Sequence, residues 1–126
     1  MTGSGIDLAE IARIRHAVQR YGQRFLDRVY LASEQAYCLR KRNAAESLAA
    51  RFAAKEAAAK ALGTGIAHGV GWLEIEVARQ PGQRPTICFH GRAAEIAARQ
   101  GVIRAHLSLT HTAELAAASV VLEDGQ

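Results

Sequence analysis

The sequence predicts an α+β fold in which a largely antiparallel sheet packs with a long helix. Three observations predict it. An Ala-rich run without a helix breaker spans residues 44–62. Beyond residue 70 the apolar spacing changes from a helical period to alternation. The order along the chain is short strand, helices, two strands, helix, two strands.

Residues 4–7 read as a short extended segment, and the brevity of the chain before Asp7 predicts a frayed first strand. From Leu8 the residues Leu8, Ile11, Ile14, Val18 and Tyr21 recur at helical spacing. Gly22 interrupts this helix, and Phe25, Leu26, Val29 and Tyr30 continue as a second piece. Ser33 ahead of Glu34 and Gln35 predicts an N-cap for a short helix reaching about Arg42. The Ala-rich helix runs from Ala44 to Leu62 and is stopped by Gly63-Thr64-Gly65. Trp72 to Arg79 alternates as a half-buried strand. Gln80-Pro81-Gly82-Gln83 is a hairpin-type turn into a second strand, Pro85 to Gly91. Arg92 to Gln100 is a helix ended by Gly101. Two further strands, Ala105 to His111 and Leu115 to Leu122, are joined by a tight turn. No composition shift marks a boundary, so residues 1–126 read as one domain.

Composition excludes several classes. Apolar residues make up 49% and charged residues 22%, a globular balance that argues against long disorder. No apolar run is long enough for a membrane span, and the first residues lack the basic and apolar regions of a signal peptide. Cys38 and Cys88 are too few for a disulfide framework and read as reduced, partly buried thiols of a cytoplasmic protein. The net charge of +4 is uneven: residues 1–60 hold 8 Arg and 3 Lys against 6 acidic residues, while the remainder holds 5 Arg against 6. The first half therefore attracts an acidic partner. Aromatic residues are only 6%, which leaves few base-stacking platforms, and no helix-turn-helix or RNP-type signature accompanies the charge. A nucleic-acid module is disfavoured.

Four groups of residues carry candidate chemistry. In Gly3-Ser4-Gly5-Ile6-Asp7 the glycines permit close backbone approach, and Asp7 is either a metal ligand or a charge at a helix start. In Arg51-Phe52-Ala53-Ala54-Lys55-Glu56-Ala57-Ala58-Ala59-Lys60, Phe52, Glu56 and Lys60 share a helical ridge. Phe52 draws that ridge toward the core, and the alanines leave room for another backbone or a ligand. The alternative is an exposed Glu–Lys pair one turn apart. Ser108-Leu109-Thr110-His111-Thr112 offers hydroxyls and an imidazole to a phosphate, or is a plain surface turn. Arg13, Arg20, Arg24 and Arg28 stack on one helical face, which only Asp27 screens, and suit an acidic protein helix. His16, His68, His90 and His106 lack metal-ligand spacing.

Together, Gly3-x-Gly5-x-Asp7, the run Arg51 to Gly65 and Ser108 to Thr112 resemble the holo-[acyl-carrier-protein] synthases, the small 4′-phosphopantetheinyl transferases. The resemblance extends from about Gly3 to Glu123, and the pairing of Gly-x-Asp with Phe-x-x-Lys-Glu-x-x-x-Lys makes it specific. Arg84-Pro85 and the Ala-rich last strand also match, whereas Leu115 stands where the family often has an aromatic. The resemblance implies a 4′-phosphopantetheinyl transferase-like fold, assembled as a homotrimer. The implied reaction moves 4′-phosphopantetheine from coenzyme A to a serine of apo acyl carrier protein and needs Mg²⁺. By position, Asp7 and Glu56 are the implied magnesium ligands, and Asp7, Glu56 and Lys60 the catalytic set. Arg51, Lys60, His111 and Thr112 are implied to bind coenzyme A, and Arg13, Arg20, Arg24 and Arg28 to bind the carrier. Asp7 and Glu56 of one chain are expected to meet His111 of another. The serine's proton is expected to leave to a magnesium-bound water or to Glu56 through a water. Such a set favours transferase over a non-catalytic relative.

Overall fold

The computed structural model describes residues 2–125. The elements are β1 (Gly3–Glu10), α1 (Ile11–Tyr21), α2 (Gln23–Val29), α3 (Ala32–Leu39), α4 (Ala44–Leu62), β2 (Ile75–Ala78), β3 (Thr86–Phe89), α5 (Gly91–Arg99), β4 (Arg104–His111) and β5 (Leu115–Glu123). Strands β1, β5 and β4 form an antiparallel sheet in that order, and β2 and β3 form a separate antiparallel hairpin. The α+β class and the antiparallel pairing agree with the sequence.

Helix α4 is the centre of the molecule. It is buried on nearly every side, as expected of a helix without a polar face. Its fully buried alanines, Ala49, Ala53, Ala54, Ala57, Ala58 and Ala59, let the sheet and the other helices approach its axis closely. The tightest approach is by β1. A Cβ built on Gly3 or Gly5 would lie 2.1 Å from the carbonyl oxygen of Ala61 or Ala57. Only glycine fits there. The other side of the β-layer carries Ile6 and Leu8, exposed at 68% and 62%. Gly63 ends α4 at φ 88°, and the amides of Thr64 and Gly65 return to the Ala59 carbonyl.

Five local expectations are corrected. Helix α1 starts at Ile11, not Leu8, because Leu8 belongs to a strand that alternates inward glycine, aspartate and alanine with outward Ile6 and Leu8. The first strand is not frayed: all eight residues of β1 pair with β5. The N-cap of α3 is Leu31 rather than Ser33, and Glu34 reaches back to the Leu31 amide at 2.7 Å. Trp72–Glu74 forms one turn of 3₁₀-helix, with Trp72 stacked 4.6 Å from Phe52, so the hairpin strand starts only at Ile75. Both cysteines are free; Cys38 is buried, but Cys88 is exposed rather than partly buried. Among the described residues no helix is long and apolar enough to cross a membrane.

Candidate active site

Asp7 lies on the inner side of β1, and Glu56 and Lys60 lie one turn apart on the facing ridge of α4. The close β1–α4 packing therefore sets their spacing. Lys60 Nζ donates to Asp7 Oδ1 at 2.6 Å and reaches the Ile6 carbonyl at 3.4 Å. The aspartate is 14% exposed and the lysine 50%, so the pair is open to solvent on one side and not in the core. The hydrogen bond to Asp7 holds the Lys60 pKa above its usual value, against a small opposing effect of burial. Lys60 is a fixed positive charge at working pH.

Asp7 and Glu56 both line one open cavity of about 620 Å³, together with Arg13 and an apolar wall that includes Ile14, Phe25, Phe52 and Leu115. Burial raises the Glu56 pKa, the neighbouring Asp7 charge raises it further, and Lys60 and Arg13 only partly offset this. Two carboxylates lining one open cavity, one of them raising the pKa of the other, fit a hard divalent cation. Mg²⁺ commonly takes one or two protein carboxylates and completes its shell with water and phosphate oxygens. Among the described residues no cluster of three or more His, Cys, Asp or Glu forms a closed metal cage.

Arg51 and His111 occupy a different place. They line a second cavity of about 160 Å³ between α4 and the end of β4, with Glu46 and Thr110. His111 Nε2 lies 4.0 Å from Glu46 Oε1, and its Nδ1 is 3.2 Å from the Thr112 carbonyl oxygen. Thr112 Oγ1 accepts the amides of Glu114 and Leu115, which closes the β4–β5 turn. Within one chain the structure thus brings Asp7, Glu56 and Lys60 together, keeps Arg51 and His111 in a separate cavity, and uses Thr112 to close the β4–β5 turn.

The arginine is not alone. Its guanidinium lies 4.4 Å from the centre of the Tyr37 ring, with Lys41 Nζ at 4.5 Å and the Arg79 guanidinium at 5.4 Å. Burial raises the Tyr37 pKa, but Lys41, Arg51 and Arg79 outweigh it and hold the phenol below its usual range. Sequence reasoning missed Tyr37, Lys41 and Arg79. The Tyr37 and Lys41 spacing of one helical turn was the available signal; Arg79 arrives by tertiary folding alone. Lys55, read only as part of the motif, is fully buried against Glu34 at 2.7 Å.

Arg13, Arg20, Arg24 and Arg28 are all exposed. Gly22, at φ 56°, breaks the face into two helices. Asp27 turns to Gln23 and Gln35, at 2.7 and 3.1 Å, rather than to an arginine. The face keeps its positive charge.

Residues 3–119 match the family model of the 4′-phosphopantetheinyl transferase superfamily. A holo-[acyl-carrier-protein] synthase of Koribacter versatilis (strain Ellin345) is 57% identical over 122 residues, covering 97% of this chain and 98% of the relative. The crystal structure of the Neisseria meningitidis holo-[acyl-carrier-protein] synthase superposes with TM-score 0.86 at 32% identity, covering 98% of each chain. That of the Helicobacter pylori protein, in complex with coenzyme A, superposes with TM-score 0.83 at 34% identity over 95% of this chain and 99% of the other.

Proposed function

Since the chain belongs to the 4′-phosphopantetheinyl transferase superfamily and to its single-domain holo-[acyl-carrier-protein] synthase type, we propose that it transfers 4′-phosphopantetheine from coenzyme A to a serine of apo acyl carrier protein in support of fatty acid synthesis. The observation that carries this reading is that Asp7 of β1 and Glu56 of α4 line one cavity while Lys60 of α4 is hydrogen-bonded to Asp7.

In this reaction the serine oxygen bonds to the phosphorus that bears pantetheine. The bond from that phosphorus to the bridging oxygen breaks, and adenosine 3′,5′-bisphosphate leaves. Asp7 and Glu56 would hold Mg²⁺, which when bound draws charge from the diphosphate. Lys60 stabilises the negative charge that gathers on the leaving phosphate. Glu56, through a water, takes the serine's proton, a task its raised pKa suits. Arg51, His111, Thr112 and Lys60 bind the phosphates of coenzyme A. Arg13, Arg20, Arg24 and Arg28 orient the acidic carrier toward the cavity. Positioning and fixed charge account for most of the acceleration.

The same reading makes the protein a homotrimer with sites between neighbours. Two features support it. The outer side of β1 and β5 leaves Ile6, Leu8 and Val121 exposed as an apolar patch. Within one chain Arg51 and His111 line a cavity separate from that of Asp7 and Glu56, so the phosphate-binding groups of one copy would serve the carboxylates of another. Two free cysteines accord with a cytoplasmic location.

The test is incubation with coenzyme A, Mg²⁺ and several apo carrier proteins, followed by mass spectrometry of the carriers. Gain of one phosphopantetheine, lost when Mg²⁺ is chelated, is the expected result. No gain on any carrier would overturn the assignment.

A further inference from the structure

The motif lysine that the reaction leaves unused is Lys55. It lies one helical turn beyond Arg51 on α4 and has no exposed side-chain surface. All three of its ammonium protons have acceptors: Glu34 Oε1 at 2.7 Å, the Ile75 carbonyl at 2.8 Å and the Trp72 carbonyl at 3.0 Å. Glu34 is equally committed. Its Oε1 also accepts the Leu31 amide at 2.7 Å, and its Oε2 accepts the Val77 amide at 2.7 Å. One ion pair therefore ties the start of α3, the middle of α4, the 3₁₀ turn and β2 together. A buried pair of this kind is poor evidence of stabilisation, because desolvation cancels much of the attraction. Its effect here is geometric.

What it fixes is visible in the neighbouring side chains. Tyr37 lies one turn beyond Glu34 on α3, and Arg79 lies just past the end of β2. Glu34, Tyr37, Arg51, Val77 and Arg79 line one cavity of about 150 Å³. Arg51, Arg79 and Lys41 crowd a single ring and repel one another. Cations so placed separate unless a framework restrains them, and an anion between them relieves the repulsion.

We propose that Lys55 and Glu34 are positioning residues for coenzyme A: they clamp α3 and β2 against α4 so that Tyr37 and Arg79 hold the Arg51 guanidinium in place for a phosphate. This inference rests on the reading that Arg51 binds coenzyme A. Asp7, Glu56 and Lys60 are set by the separate β1–α4 contact, so the clamp governs affinity for coenzyme A and not the chemical step.

The test compares Arg51→Ala, Lys55→Met and the double variant by steady-state kinetics with varied coenzyme A. Arg51→Ala is expected to raise KM about tenfold, and Lys55→Met to raise it about fivefold with kcat within about threefold of the parent. In the double variant KM should match that of Arg51→Ala alone, because one residue acts through the other. A merely structural lysine would instead multiply the two effects, or lower kcat at unchanged KM, and either result overturns the clamp. If Arg51→Ala leaves KM unchanged, the placement of coenzyme A is wrong and the clamp falls with it. Should Lys55→Met be insoluble, Glu34→Gln, which preserves size and one acceptor, is held to the same expectations.

Discussion

Glu56, in the role proposed for it, shows how a residue can serve chemistry against the stability of the fold. Its folded pKa is raised, so the folded state binds its proton more tightly than the unfolded state does. The stability it contributes is present below the ordinary glutamate value and is lost as pH rises through the folded value. At neutral pH the ionised side chain works against folding. Glu56→Gln should therefore melt slightly higher than the parent while transfer falls by about 100-fold or more. Differential scanning fluorimetry beside the carrier mass assay checks both; a lower Tm would make Glu56 a structural residue. The motif made Asp7, Glu56 and Lys60 legible in the sequence. The fates of Lys55 and Arg51 were not legible, because both depend on partners brought in from α3 and β2 by tertiary packing.

Among the elements, α4 was legible to its ends: the alanine run favours helix throughout, and Gly63 supplies the left-handed cap. β1 was not. Leu8, Ile11 and Ile14 fall by coincidence at helical spacing, although Leu8 points away from the core on a strand. The stronger signal was the period-two placement of Gly3, Gly5 and Asp7, which a strand requires and a helix does not. Trp72 misled in a similar way, because alternation continued through a 3₁₀ turn that seats its ring on Phe52. The β1–α4 contact gives a sharp prediction. Gly5→Ala places a methyl against the Ala57 carbonyl, where neither backbone can yield. Destabilisation of at least about 3 kcal/mol is expected, read from the urea midpoint. A near-parental midpoint would mean that strand and helix are not held this close.

At the scale of the whole molecule, the uneven charge and the open apolar side of the sheet point to different partners. The arginine face of α1 and α2 suits an acidic protein, and the Ile6–Leu8 patch suits another copy of the chain. A double change, Ile6→Asp with Val121→Asp, lies on the exposed side of the sheet and outside the lining of the Asp7 cavity. It should convert the proposed trimer to monomers by light scattering, keep the circular dichroism of the parent and abolish transfer. Full activity in a monomeric variant would exclude a site shared between neighbours. The sequence showed both surfaces only in part: the arginine spacing was plain, but the outward side of β1 emerged only once that strand was correctly bounded.

The alternation of β1 has one more consequence. Slipping its pairing with β5 by a single residue would turn Asp7 outward and force Ser4 or Ile6 into the glycine positions against α4, where even one added methyl has no room. A misaligned chain thus cannot close at all. Folded molecules and correctly aligned molecules are the same population, and no compact but chemically blind impostor competes for the carrier.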